Sequence, residues 1–91
     1  MNSENLIWVM GILNLANVTY TISNKGYEVR FKSAMGNSQL DVILYPTTGK
    51  YIYGDYTYSP MSSYSAASIK ENMKKCIFIH VSPNMFERKI R

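Results

Sequence analysis

Catalysis needs positioned nucleophiles, bases or metal ligands, and this chain offers few of them. Its one Cys and one His, Cys76 and His80, stand four residues apart. On one continuous helix that spacing puts thiol and imidazole on the same side, as a nucleophile and its base require. The neighbouring Ile77, Phe78, Ile79 and Val81 read as a β-strand by their β-branched and aromatic types, and a strand would separate the pair. A buried Cys acting as a small hydrophobe is the commoner arrangement. Asp41 and Asp55 could oppose one another across a hairpin as an acid and base, or as two metal ligands, without a third group to complete the set. There is no Gly-rich phosphate cradle and no His/Cys cluster at zinc spacing. The residues predict no enzyme, no catalytic residue, no metal and no cofactor.

Binding has better material. Of eight tyrosines, Tyr45, Tyr51, Tyr53, Tyr56, Tyr58 and Tyr64 fall within twenty residues. Tyrosine supplies large, stiff, amphipathic contact area, which is why protein interfaces are enriched in it. The same rings stack on nucleic-acid bases when Lys or Arg nearby holds the phosphate backbone. Charge separates the two readings. The net charge is +4, and up to residue 67 four bases are matched by four acids. The surplus comes later, where Lys70, Lys74, Lys75, Arg88, Lys89 and Arg91 meet only Glu71 and Glu87. Among the clustered tyrosines Lys50 is the only base, whereas a nucleic-acid platform would interleave the two types. This favours a protein partner held through Tyr45, Tyr51, Tyr53, Tyr56 and Tyr58. The alternative is nucleic-acid binding through Lys70, Lys74, Lys75, Arg88, Lys89 and Arg91.

The elements that must position these groups form one small domain over residues 1–91, because 91 residues at 46% hydrophobic and 18% charged build a single core. The longest apolar run, Leu6 to Leu13, is too short to span a membrane. Asn2, Ser3, Glu4 and Asn5 before it lack the positive charge of a secretory signal, and one unpaired Cys suits a reducing compartment, so a cytoplasmic location is expected.

Ser3 can cap a first helix in which Leu6, Val9, Met10, Leu13 and Ala16 recur at helical steps. Its other side is also apolar. Ile7, Trp8, Ile12 and Leu15 are either sandwiched or offered to a partner, a second copy included; Trp8 and Ile12 join the candidate protein-binding residues. Gly11 within this helix could permit close backbone approach.

Two hairpins follow. Ile22 opposite Tyr27 would put Val18, Tyr20, Ile22, Tyr27, Val29 and Phe31 on one face. Leu40 to Tyr45 pairs with a strand from Tyr51 to Tyr58 across a Pro46 to Lys50 turn. Parity leaves two registers there. A three-residue loop exposes Tyr51 and Tyr53, and a four-residue loop turns them to the core. Ser68 and Glu71 then form a capping box for a second helix ending near Lys75, followed by the Ile77 to Val81 strand or a longer helix reaching His80. Ser82-Pro83 opens a short C-terminal turn.

The order helix, strands, helix resembles that of double-stranded-RNA-binding domains, in which a basic late helix meets phosphates, a role Lys70, Lys74 and Lys75 would suit. The likeness ends at topology, since the Gly/Pro/His loop and the Lys-Lys helix start of that family are missing, and no family is assigned. The expected fold is α+β: an N-terminal helix on a four-stranded antiparallel meander, a second helix and a short C-terminal strand or helix. The expected function is non-catalytic binding of a protein target. Its Asn, Lys, Ile and Tyr content fits a stoichiometric inhibitor or accessory protein of an A/T-rich phage or mobile element.

Overall fold

The computed structural model describes residues 3–23, 28–35, 40–61 and 65–81. Helix α1 (Ser3–Leu15) leads into strands β1 (Tyr20–Ile22), β2 (Val29–Lys32), β3 (Asp41–Leu44), β4 (Tyr51–Tyr53) and β5 (Tyr56–Tyr58), and helix α2 (Ala66–His80) closes the order. The strands lie in one antiparallel sheet in chain order, with β1 and β5 as its edges. The α+β class holds, with five strands where the sequence predicts four. The added strand comes from a break in the expected Tyr51 to Tyr58 run. Gly54 takes φ +63°, and the Gly54-Asp55 pair folds that run into a two-residue hairpin with Tyr53 opposite Tyr56.

Alternation decides the faces. Val29, Phe31, Val42, Leu44 and Tyr51 point inward, while Thr21, Arg30, Lys32 and Asp41 lie exposed on the reverse side. Both helices pack on the inner face: Val9, Ile12 and Leu13 of α1 and Ile69, Met73, Cys76 and Ile77 of α2 share one core with those strand residues. The first hairpin keeps the predicted faces but not the predicted pairing, since Ile22 opposes Val29 and Ser23 N–H donates to the Glu28 carbonyl. A shift of two residues preserves every face, so alternation could not see it. In the second hairpin Leu44 opposes Tyr51, the register that turns Tyr51 inward.

Two expectations about α2 are corrected. Ser65, rather than Ser68, is the N-cap, its Oγ accepting from Ser68 N–H at 3.2 Å. The helix runs on to His80, so no strand forms over Ile77 to Val81; Ile77 and Cys76 are buried in register with Met73 and Ile69 one and two turns back, which keeps the stripe helical. The expected C-terminal turn from Ser82 lies outside the described residues.

Buried polar groups fasten α2 to the sheet. Asn72 Nδ2 donates to the Gly49 carbonyl at 2.8 Å and to the Tyr58 carbonyl at 3.2 Å. Gly49 itself has φ +77°, and a Cβ there would lie 2.7 Å from the Ile69 carbonyl oxygen. Only glycine lets the β3–β4 loop approach the helix this closely. No helix among the described residues is long and apolar enough to cross a membrane.

Candidate functional site

On α2, Ser68, Asn72, Lys75 and Ile79 recur at steps of three and four, which sets them in one stripe about 16 Å long. Beside this stripe two concavities adjoin. One, of about 220 Å³, lies among Met61, Ser68, Glu71, Asn72 and Lys75. The other, of about 410 Å³, is walled by Tyr56, Tyr58, Met35 and Ile79, with Tyr51, Tyr53 and His80 deeper. The Asn72 to Tyr58 hydrogen bond joins them into a trough between α2 and the edge strand β5.

The aromatic wall is graded from core to solvent. Tyr51 is 2% exposed, Tyr58 39% and Tyr56 68%. Tyr51 and Tyr58 stack at 4.7 Å with 17° between their planes, and Tyr56 leans on Tyr58 at 6.5 Å. Burial, with the neighbouring Cys76 and Tyr58 groups, pushes the Tyr51 hydroxyl up to about 12, so this ring stays neutral. His80 lies 4.4 Å from the Tyr53 ring and 5.7 Å from the Tyr51 ring, centroid to centroid. Burial holds its imidazole below the ordinary histidine value, and Ser33 Oγ sits 2.8 Å from Nδ1.

A Ser beside a His has the composition of a nucleophile and base. Here Ser33 Oγ also accepts from Met35 N–H at 3.0 Å, and Ser33 is 8% exposed. Held between the Met35 N–H and the His80 ring, the buried hydroxyl ties the end of β2 to the end of α2, where Ala34 N–H also donates to the His80 carbonyl. Cys76 and His80 do share one helix, but Cys76 is fully buried, and burial pushes its thiol up, away from the thiolate a nucleophile needs. Asp41 and Asp55 do not oppose one another. Asp41 stands across from Lys32 and pairs with it at 3.2 Å, and Asp55 occupies the β4–β5 turn. Among the described residues no group of three His, Cys, Asp or Glu could hold a metal ion.

The structure gathers Tyr51, Tyr53, Tyr56 and Tyr58 on one face and sets Tyr45 apart. Tyr45 lies on the reverse face, where its hydroxyl donates to Glu28 at 3.2 Å and Lys50 sits 4.9 Å from its ring centre. The Arg30 guanidinium beside Glu28 holds that carboxyl below the usual range, and burial raises the Tyr45 hydroxyl. Tyr51 is core, Tyr53 half-buried, and Tyr56 and Tyr58 carry the exposed part of the cluster. Tyr64 lies outside the described residues.

The spare face expected on α1 is corrected in the same way. Ile12 is core, and half-buried Trp8 is covered by Lys70, whose Nζ lies 4.0 Å from its ring centre. Only Ile7 and Leu15 remain exposed there, flanking Gly11, at which an added Cβ would meet nothing within 4 Å. An apolar residue on every side leaves helix rotation undetermined by pattern; the breaks at Gly11 and Asn14 mark the solvent side.

Of the basic residues, Lys70 and Lys74 are half-buried and Lys75 exposed, with Glu71 exposed between them. Arg88, Lys89 and Arg91 lie outside the described residues. Met35, Met61 and Ile79 join the site without having been singled out by the sequence. Gly54-Asp55 was the available signal, since a hairpin there makes β5 a separate edge. Compared with known proteins, the chain matches no family, no curated protein and no solved structure.

Proposed function

We propose that the chain is a small, non-catalytic protein-binding module whose contact surface is the trough between β5 and α2. The observation that carries this reading is the exposure of Tyr56 and Tyr58 on a strand that is an edge of the sheet among the described residues, beside a concavity walled by Met35 and Ile79. Aromatic and thioether side chains of this kind supply contact area at small conformational cost, and buried aromatic anchors dominate interface energetics. An edge strand adds unpaired backbone groups that a partner can use. Within this reading the target is held stoichiometrically, as by an inhibitor or accessory protein of a phage or mobile element. That part rests on composition alone. A reducing, cytoplasmic setting agrees with the buried free thiol of Cys76.

The test is partner capture with Tyr56→Ala and Tyr58→Ala. Both variants are expected to lose at least tenfold in affinity while melting close to the parent chain. Unchanged capture by the folded variants would place the contact elsewhere. The nucleic-acid alternative has its own check in gel-shift titration at two salt concentrations: retardation that falls steeply with salt would favour it over the protein reading.

A further inference from the structure

We infer that the occupant of this edge is a second copy of the chain, joined β5 to β5 in antiparallel fashion about a two-fold axis through Thr57. The inference rests on the reading of this face as a contact surface and names its partner.

The register of β5 makes the pairing self-complementary. Tyr53 and Tyr56 close a two-residue hairpin and therefore form a hydrogen-bonded pair, as do Tyr51 and Tyr58. Thr57, between them, directs its N–H and carbonyl away from β4 toward the open edge. The strand reads Tyr-Thr-Tyr, the same in both directions. Antiparallel pairing centred on Thr57 joins the two Thr57 residues by a reciprocal pair of backbone hydrogen bonds. Tyr56 of each copy then stands opposite Tyr58 of the other, in the closer, non-hydrogen-bonded arrangement and on the helix-bearing face. The Tyr51–Tyr58 stack continues across the axis into Tyr56 and Tyr53 of the second copy. On the reverse face Thr57 meets Thr57, a favourable cross-strand pair. Asp55 falls opposite Ser59, so no like charges are brought together.

Area agrees with this occupant. Met35 and Ile79, which line the same concavity as the two tyrosines, are 42% and 43% exposed. Together the four side chains offer roughly 400 Å² of exposed surface, the size of an interaction patch and about half of the roughly 800 Å² that each partner gives to a standard interface. The isologous contact uses the same patch twice and converts two five-stranded sheets into one of ten strands. The edge also lacks the lysine that commonly blocks such pairing.

The experiment is size exclusion with light scattering on the full chain, over dilutions that reach millimolar concentration. The expected result is a mass that rises from one chain to two. Thr57→Pro, which removes the edge N–H, and Tyr56→Lys, which puts a charge opposite Tyr58 of the second copy, are expected to stay at one chain throughout, with circular dichroism unchanged. A parent chain that stays monomeric overturns the inference, and so does a folded variant of either kind that still dimerises. Should Thr57→Pro fail to fold, Tyr56→Lys carries the test, because that side chain is 68% exposed. A monomeric parent whose Tyr56→Lys variant loses a foreign target overturns the second copy and leaves the contact surface standing. Dimerisation abolished by Tyr56→Lys, with a foreign target bound as before, supports the second copy and removes the foreign target from this face.

Discussion

The two edge strands of the sheet have the same length and the same alternation, yet opposite surroundings. Tyr20 and Ile22 of β1 are half-buried and pack against the core, whereas Tyr56 and Tyr58 of β5 point to the same face and remain exposed. Helix coverage makes the difference. Helix α1 leads into β1 through Asn17 at φ +58°, with Val18 N–H donating to the Leu13 carbonyl, and Val18, Tyr20 and Ile22 then pack against the shared core. Helix α2 is tied by Asn72 to the β3–β4 loop and to the Tyr58 carbonyl, and by the Ser33–His80 pair to the end of β2, and its last turns leave the Tyr56 and Tyr58 rings exposed. An aromatic strand becomes core or exposed surface according to what packs on it.

Breaking the pin and emptying the core beneath it are the two large perturbations. Gly49→Ala forces a Cβ against the Ile69 backbone at a positive φ and is expected to cost about 3 kcal/mol or more. Chemical denaturation would show this as a lower midpoint at unchanged slope. Asn72→Ala, which strands the Gly49 carbonyl in the interior, follows at about 2 kcal/mol by the same measurement.

Next come the graded tyrosines. Tyr51→Ala removes a buried ring and is expected to cost about 3 to 4 kcal/mol, against less than about 1 kcal/mol for Tyr56→Ala. Equal losses would erase the contrast between core and rim.

The His80 imidazole, facing Ser33, Tyr51 and Tyr53, sharpens the same boundary through pH. Its value in the folded chain lies below the ordinary 6.5, so between the two the unfolded chain binds more protons. Stability is therefore full above about pH 6.5 and falls as pH drops below it, by at most about 1.4 kcal/mol per pH unit. Denaturation midpoints at pH 7.5 and 5.5 check this, and His80→Gln is expected to flatten the difference.

The smallest effect has the opposite sign. Gly11→Ala, on the open side of α1, is expected to stabilise by up to about 1 kcal/mol, where a packed glycine would instead be damaged.

Much of this contrast was legible in the residues. Alternation in Val29, Phe31, Val42 and Leu44 reads directly as an inner face, and the Ile69, Met73, Cys76 stripe reads as a helix. Two things were not. Pattern is blind to a two-residue slide of the first hairpin, and β-branched Ile77 and Ile79 favour a strand locally although burial of Ile77 in the Ile69, Met73, Cys76 stripe keeps the segment helical. The trough depends on both the Gly54 turn and the full length of α2. With one unbroken strand and a helix ending at Lys75, neither the β5 edge nor the Ile79 and His80 wall exists.

The contrast turns on Tyr56 lying at the exposed rim rather than in the core. Thermal melting of Tyr56→Ala, in dilute solution and alongside Tyr51→Ala, tests it most directly. The account predicts a shift of less than about 6 °C for Tyr56→Ala and about 15 °C or more for Tyr51→Ala. A Tyr56→Ala chain that melts as low as the Tyr51 variant would contradict it.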